Sequence, residues 1–202
     1  MTNKKSNKPT REEAEDAVRT LIRWAGDDPA REGLVETPKR VIKSFEEFYK
    51  GYDIDPASVL NKTFEEVEGY DEMIVLRDIT FHSHCEHHMV PFSGRAHVAY
   101  IPSKRVIGLS KLARLVEIYA RRLQVQEKFT AQIANTLTDI LKPRGVGVVV
   151  EATHMCMTMR GIQKPGAVMQ TSKLTGLFRS DPRTRQEFFS LLTVPTYQHT
   201  AR

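Results

Sequence analysis

The spacing of apolar residues alternates between helix-like and strand-like along the chain, and the order of these segments restricts the possible folds. Residues 110–123 and 126–141 carry apolar side chains at helical spacing and predict two adjacent helices. Four runs with strand character surround this pair, two before it and two after: 73–81, 94–101, 146 to about 157, and roughly 167–178. Strands on both sides of a helix pair predict an α+β fold, with an antiparallel four-stranded sheet and helices on one face.

Further helices are predicted at both ends. Thr10 and Glu13 form a capping-box pattern, and Thr37-Pro38 marks the start of a second helix. Asp181-Pro182 marks the start of a last one. We therefore expect one domain overall in three parts: a disordered basic tail (1–9), an N-terminal helical region (10–70) and a region that holds the sheet and the chemistry (71–202).

Length and charge narrow the class of protein. The chain has 202 residues and a formal net charge of +5. No apolar run approaches the ~20 residues that span a bilayer. The Lys-rich start lacks the hydrophobic stretch of a secretory signal, so we expect a cytoplasmic protein without a membrane partner. The basic balance suits an anionic partner, which could be a nucleic acid, an acidic surface or a phosphorylated small molecule. Charge alone does not choose among them, and a solvated surface with a basic tail is the simplest explanation.

The densest chemistry lies in residues 82–88, with the sequence His-Ser-His-Cys-Glu-His-His. Cys85 and His88 have the short spacing of zinc-binding loops. The only other cysteine is Cys156. As a third ligand it would leave the fourth position to water, as in catalytic zinc sites, whereas a structural site would need a second close pair. A lone cysteine on an apolar strand is also often just a small buried residue.

Alternation along the third predicted strand bears on the same question. One face carries Val146, Val148, Val150 and Ala152, which are typical of a core. On that pattern His154 and Cys156 share the face and place an imidazole beside a thiol at the end of the strand. A buried histidine satisfied by a backbone hydrogen bond remains the alternative for His154.

Five blocks of the chain together strongly resemble the GTP cyclohydrolase I family, in its order and at its spacing: 85–88, 106–111, 124–127, 154–156 and 160–161. The similarity runs from about residue 10 to residue 193. It implies the tunnelling fold, with an antiparallel four-stranded sheet and a helix pair in each subunit. It also implies a homodecamer of two stacked pentamers, with the sites at subunit interfaces.

The resemblance also assigns roles to individual residues. It implies one Zn²⁺ per subunit, held by Cys85, His88 and Cys156. It implies catalytic roles for His87, His154 and Ser110. It implies that the residues that bind substrate are Gln126, Glu127, Lys111, Arg114 and Arg160. His82 and His84 receive no role.

The implied reaction is hydrolysis of GTP to formate and 7,8-dihydroneopterin triphosphate. A zinc-activated water acts at purine C8, and the reaction is the first step of tetrahydrofolate and pterin biosynthesis. The residue types suit this chemistry, since Glu127 can accept hydrogen bonds from guanine N1–H and the 2-amino group. The chain has no G-x-x-x-x-G-K-[ST] loop, which is consistent with a reaction on the base rather than on the γ-phosphate.

Two rival functions are less consistent with these residues. A structural zinc protein that binds nucleic acid would need a second ligand pair and interleaved aromatic and basic residues, so we expect no nucleic-acid partner. A nicotinamide-dependent nitrile reductase of the same fold works through a nucleophilic cysteine without catalytic zinc. The blocks 85–88 and 154–156 argue against it. The pathway that uses the product is left open.

Overall fold

In the computed structural model of the chain, the described residues are 8–60 and 71–195. Contacts divide the chain into two compact units, Met1–Tyr49 and Lys50–Arg202. Most of the predicted basic tail lies outside the described residues, as does the stretch 61–70 of the predicted helical region. The three-part division of the chain at residues 9 and 70 stays a prediction.

The N-terminal unit contains two described helices, α1 (Arg11–Trp24) and α2 (Thr37–Phe48). The capping box at the start of α1 is confirmed. The Thr10 side chain accepts from the backbone N–H of Glu13, and the Glu13 carboxylate accepts from the backbone N–H of Thr10 at 2.7 Å. Pro38 occupies the first turn of α2, where its missing N–H leaves no helical hydrogen bond unmade.

The described part of the C-terminal unit is organised by a five-stranded sheet in the order β3-β1-β2-β4-β5. Neighbouring strands are antiparallel, except that the short β3 runs parallel to β1. The strands are β1 (Ile74–Cys85), β2 (Pro91–Ile101), β3 (Leu123–Gln124), β4 (Gly145–His154) and β5 (Met169–Leu174).

A helix pair covers one face of this sheet and forms the main core with it. The helices are α3 (Leu109–Ala120) and α4 (Gln126–Leu141). The strands contribute Phe81, Phe92, Ala96, Val98, Tyr100, Val146, Val148, Val150 and Ala152, and the helices Leu112, Leu115, Val116, Phe129, Ile133 and Leu137. Because every second residue of β4 points into this core through Ala152, the predicted alternation is confirmed that far.

The opposite face carries a smaller core at one end. Two C-terminal helices, α6 (Leu177–Ser180) and α7 (Pro182–Thr193), bring Phe178 and Phe188 against the sheet. Their partners on the strands are Ala99, Ile101 and Val149. Asp181 caps α7 by accepting from the backbone N–H of Arg183, so the predicted start of the last helix is confirmed.

The sequence-based boundary of β1 was wrong at its C-terminal end. The strand does not stop at residue 81 but continues to Cys85, and β2 begins at Pro91 rather than at residue 94, so only residues 86–90 connect the two strands. The backbone of 82–84 pairs with β2, and His84 and Cys85 pair with β3. Residues 82–85 form a strand because the neighbouring strands β2 and β3 supply their backbone hydrogen bonds, although their polar side chains do not suggest one.

Two further boundaries differ near the same edge. Helix α3 ends at Ala120 rather than at residue 123, which frees Leu123 and Gln124 to form β3. Strand β4 ends at His154, and Cys156 lies in a short helix, α5 (Met155–Thr158). The register explains this, because His154 pairs with Phe92 and the next residue of β2 is Pro91, which begins the strand and has no N–H to donate.

The predicted fold class, an α+β fold whose antiparallel sheet carries a helix pair on one face, is confirmed. The fifth strand and the helices on the second face are additions to it. Among the described residues, the helices are too short or too polar to cross a bilayer.

Candidate metal centre and active site

Cys85 occupies the last position of β1, where the chain turns into β2. Its backbone N–H donates to the carbonyl of Val90 at 2.9 Å, and its carbonyl accepts from the N–H of Met89 at 2.8 Å. Met89 adopts a φ of 53°, in the left-handed region that closes a tight turn. This turn holds Cys85 in the buried edge of the sheet and leaves His87 and His88 exposed beside it.

Cys85, His88 and Cys156 form a group that could hold one metal ion. Their donor atoms all lie within 4.8 Å of one another. Sγ of Cys85 is 3.9 Å from Nδ1 of His88 and 3.7 Å from Nδ1 of His87. Cys156 lies on α5, directly after β4, so the two thiols lie at the ends of β1 and β4, the strands on either side of β2.

The chemistry of these donors fits a soft divalent ion. Burial raises the pKa of the Cys156 thiol, and the neighbouring Cys85 raises it further. A divalent cation between two thiols displaces their protons and removes this unfavourable arrangement. Two sulfur ligands and one imidazole favour zinc over magnesium or calcium, and three protein ligands leave one tetrahedral position open.

His154 lies at the end of β4, two residues before Cys156, and is held on two sides. Its ring stacks on Phe92, its partner in β2, with 4.6 Å between centroids and 3° between planes. Its Nε2 lies 2.7 Å from Oε1 of Gln126. Burial lowers the pKa of His154, while the charge of Glu127 acts in the opposite direction.

Gln126 and Glu127 begin α4 and have different surroundings. Gln126 is buried, with its amide nitrogen 3.0 Å from the carbonyl oxygens of both Val150 and Met169. Glu127 is exposed in the first turn, where the helix dipole favours a carboxylate. The exposed carboxylate is therefore free to meet a ligand, whereas the Gln126 side chain is taken up by the sheet and by His154.

Arg160 follows α5 and reaches back to the histidine-rich turn. Its Nη1 lies 3.1 Å from Nε2 of His88. Arg160 is exposed, so its guanidinium places positive charge at the open side of the cluster. The structure thus brings Arg160 into one cluster with the two cysteines, with His87 and His154, and with the start of α4.

The other three predicted site residues lie elsewhere. Ser110, Lys111 and Arg114 are in the first two turns of α3, whereas the C-terminal end of α3 leads into β3 and so to Cys85. At 1.5 Å per residue, Ser110 lies roughly 15 Å along the axis from that end. The N-cap of α3 is Gly108, so Ser110 does not cap this helix.

Sequence reasoning missed Phe92 as a contact of His154. Its only signal would have been the strand register that pairs the two residues, and the register follows from the whole sheet. It also missed an ion pair at the site's rim, with 3.5 Å between Nζ of Lys128 and Oε2 of Glu86.

Together, the fold and this cluster define an α+β protein that could hold one metal ion, beside an imidazole, at the ends of two interior strands of its sheet. The family model described as GTP cyclohydrolase I matches residues 14–193. Two relatives, each named GTP cyclohydrolase 1, come from Sinorhizobium fredii (strain NBRC 101917 / NGR234) and Maricaulis maris (strain MCS10). Each is 57% identical over 187 residues, which is 93% of this chain and 91% of the relative.

The chain belongs to the GTP cyclohydrolase I family. It is therefore an enzyme, and the family implies GTP as its substrate. Among solved structures, the archaeosine synthase QueF-Like in the apo form matches with a TM-score of 0.43 and 18% identity. That match covers 52% of this chain and 93% of the other.

Proposed function

We propose that the chain hydrolyses GTP to formate and 7,8-dihydroneopterin triphosphate, the first step of tetrahydrofolate and pterin biosynthesis. The observation that carries the proposal is the juxtaposition of three metal-binding side chains with a stacked imidazole, in a member of this family. The two thiols and the imidazole would hold one Zn²⁺ per chain. When bound, the ion supplies a Lewis acid that lowers the pKa of a water towards neutrality.

His154 is the residue that holds a proton at N7 of the purine. Hydrogen bonding or protonation at N7 withdraws electrons from C8 and makes that carbon open to attack. The position of His154 supports this role, since it lies two residues from Cys156 and its ring is fixed against Phe92. His87 and Ser110 would transfer protons later, during hydrolysis of the formamide, rearrangement of the ribose and closure of the pterin ring.

Glu127 is the residue that recognises guanine. Its exposed carboxylate can accept from N1–H and from the 2-amino group together, an arrangement that adenine cannot match. Its charge raises the pKa of His154, so the carboxylate lies within electrostatic range of that ring. Gln126 precedes it, and the direct contact of Gln126 with the base stays a prediction.

Arg160, Lys111 and Arg114 would bind the triphosphate, since lysine and arginine form charge-assisted hydrogen bonds with phosphate oxygens. Arg160 lies at the metal cluster, but Lys111 and Arg114 lie near the other end of α3. We therefore propose that a second copy of the chain supplies Ser110, Lys111 and Arg114. A homodecamer of two pentamers would provide such interfaces. The cytoplasmic location and the lack of nucleic-acid and membrane partners stay predictions of the sequence.

A turnover assay tests the proposed reaction. Purified protein is incubated with GTP, before and after chelation, and formate and oxidised, fluorescent neopterin are measured. We expect equal amounts of both products, lost on chelation and restored by zinc. A folded, zinc-loaded and assembled protein that yields neither product would refute the proposal.

Subunit complementation tests the shared site. His154→Ala and Lys111→Ala each remove one half of it, so each variant alone should be inactive. Mixed assemblies, formed by refolding the two together, contain sites with both halves intact and should regain turnover. The control is each variant refolded alone at the same total concentration. If mixing restores nothing although mixed assemblies form, both halves come from one chain.

A further inference from the structure

The orientation of the Gln126 side chain is determined by its surroundings. The residue is 1% exposed, and its amide nitrogen faces the carbonyl oxygens of Val150 and Met169, both at 3.0 Å. A carbonyl oxygen can only accept a hydrogen bond. If the amide were reversed, its oxygen would face two carbonyl oxygens in a buried site, which is strongly unfavourable.

A chain of hydroxyl groups supports the same orientation. Thr130 donates its hydroxyl to the backbone carbonyl of Gln126 at 2.8 Å. The proton between Thr130 and Thr171, whose oxygens are 2.6 Å apart, therefore comes from Thr171. The Thr171 oxygen then accepts from the Gln126 amide nitrogen at 3.2 Å. If the amide were reversed, the side-chain oxygens of Thr171 and Gln126 would face each other with no proton between them.

The state of His154 follows from this orientation. The remaining side-chain atom of Gln126, Oε1, lies 2.7 Å from Nε2 of His154 and can only accept. Nε2 therefore carries the proton of this hydrogen bond. Phe92 fixes the plane of the ring. Within the described ranges 8–60 and 71–195, Nδ1 of His154 has no hydrogen-bond partner.

We propose that Gln126 is a positioning residue that holds His154 as its Nε2–H tautomer, so that Nδ1 is the ring nitrogen that meets the substrate. The inference rests on the proposed function, because the role of His154 in turnover is part of that proposal. In this role the buried amide acts on His154, which is separate from the direct contact with the guanine base that the family resemblance implies. Nδ1, whose lone pair is thus exposed, takes up a proton from solvent and delivers it to N7, while Nε2–H stays hydrogen-bonded to Gln126.

Spectroscopy of the imidazole tests the tautomer without reference to activity. The zinc-loaded, assembled protein is labelled with ¹⁵N-histidine and studied by solid-state NMR, which sets no limit on particle size. The His154 signals are assigned by their loss in His154→Gln. We expect the Nε2–H tautomer in the wild type, and a mixture of tautomers or a different one in Gln126→Met. An Nδ1–H wild-type ring overturns the proposal.

Kinetics test the consequence for turnover. Gln126→Met keeps the volume but removes the acceptor, and partners that orient a catalytic or ligating group typically change activity by about 10- to 100-fold. We expect a loss of that size in kcat, with KM for GTP within about twofold and zinc content unchanged. Gln126→Glu, protonated on the oxygen that faces the two carbonyls, still presents an acceptor to Nε2–H, so it should recover part of kcat.

Gln124→Met is the matched control. Gln124 is also 1% exposed, and its amide nitrogen donates to the carbonyl of Tyr119 at 2.8 Å, but it does not contact His154. We expect a similar loss of thermal stability with kcat unchanged. An unchanged kcat in Gln126→Met, or an equal loss in Gln124→Met at equal stability, would show that Gln126 is only structural. A wild type that makes no formate overturns the proposed function and the catalytic half of the inference, while the spectrum still decides the tautomer.

Discussion

A substitution of Phe92 can show whether this residue only stabilises the fold or also holds the His154 ring in place for turnover. Its ring contacts two others, Phe81 at 5.8 Å and His154 at 4.6 Å between centroids. Phe81 likewise contacts two rings, Phe92 and Phe129, the latter at 4.9 Å, but not His154. Both phenylalanines are fully buried. Leucine at either position keeps most of the apolar volume and removes two ring pairs.

The expected loss of stability is therefore similar in Phe92→Leu and Phe81→Leu. An aromatic pair contributes about 0.5–1.5 kcal/mol beyond its buried area, so two pairs contribute about 1–3 kcal/mol. In a chain of this size a loss of about 2 kcal/mol lowers Tm by about 4–8 °C. Turnover should differ, because only Phe92→Leu frees the His154 ring. We expect kcat to fall about 10-fold or more in that variant alone, since small misplacements of catalytic groups are costly.

Thermal unfolding followed by circular dichroism, and turnover of GTP at 25 °C with matched zinc content, measure the two effects. Both variants must be folded at the assay temperature for the comparison to hold. If Phe81→Leu loses as much kcat as Phe92→Leu at equal Tm, the loss reflects general loosening of the core. If Phe92→Leu keeps full kcat, the stacked ring does not fix His154, and the argument for its orientation is wrong.

Three further predictions follow from the structure. Cys156→Ser should lose bound zinc and turnover but keep the far-ultraviolet circular dichroism spectrum of the wild type. Metal analysis of both proteins measures the zinc, and full retention in the variant would contradict the proposed ligands. Gly94→Ala should lower the free energy of unfolding by about 1–3 kcal/mol, and with it Tm, because its new Cβ would collide with the backbone carbonyl oxygen of Glu151. An unchanged Tm would contradict the close approach of β2 and β4. Asp27 has its pKa lowered to about 2 by the hydrogen bond from Arg31, with a contribution from the backbone N–H of Asp28. A lowered carboxyl pKa stabilises the folded state at pH values above the ordinary pKa of 3.8, and this stabilisation should be lost as the pH falls through about 2. In Arg31→Gln, the carboxyl pKa measured by NMR should move back towards the ordinary value.

The elements that sequence predicted well are those with a local cause. The capping box at Thr10 and Glu13 placed the start of α1 correctly, and the apolar spacing of 126–141 gave α4 its bounds. The alternation of β4 predicted its buried face through Ala152. In each case the signal lies within a few residues of the feature that it specifies.

The elements that sequence placed wrongly depend on distant partners. Residues 82–85 are strand because β2 and β3 pair with them, and their polar side chains give no sign of it. Cys156 was predicted on β4, beside His154, but the strand ends where β2 no longer offers a partner. The thiol still reaches Cys85, because one helical turn of α5 redirects it.

The site shows the same division. The spacing of Cys85 and His88 and the family resemblance pointed to the three residues that the structure brings together as a group that could hold a metal ion. The contact of Gln126 with His154 joins residues 28 positions apart, and no local pattern specifies it. The distance of Lys111 from the cluster within one chain follows from the direction of α3, which periodicity alone does not give.

The length of α3 has a consequence for assembly. With Lys111 and Arg114 on one copy and Glu127 and His154 on another, GTP would bridge two polypeptides. A ligand held jointly by two chains favours their association by mass action. Specific activity should therefore fall on dilution of the free protein, and GTP should shift this loss to lower protein concentration. The substrate would then act as a reversible link between subunits as well as the molecule that is transformed.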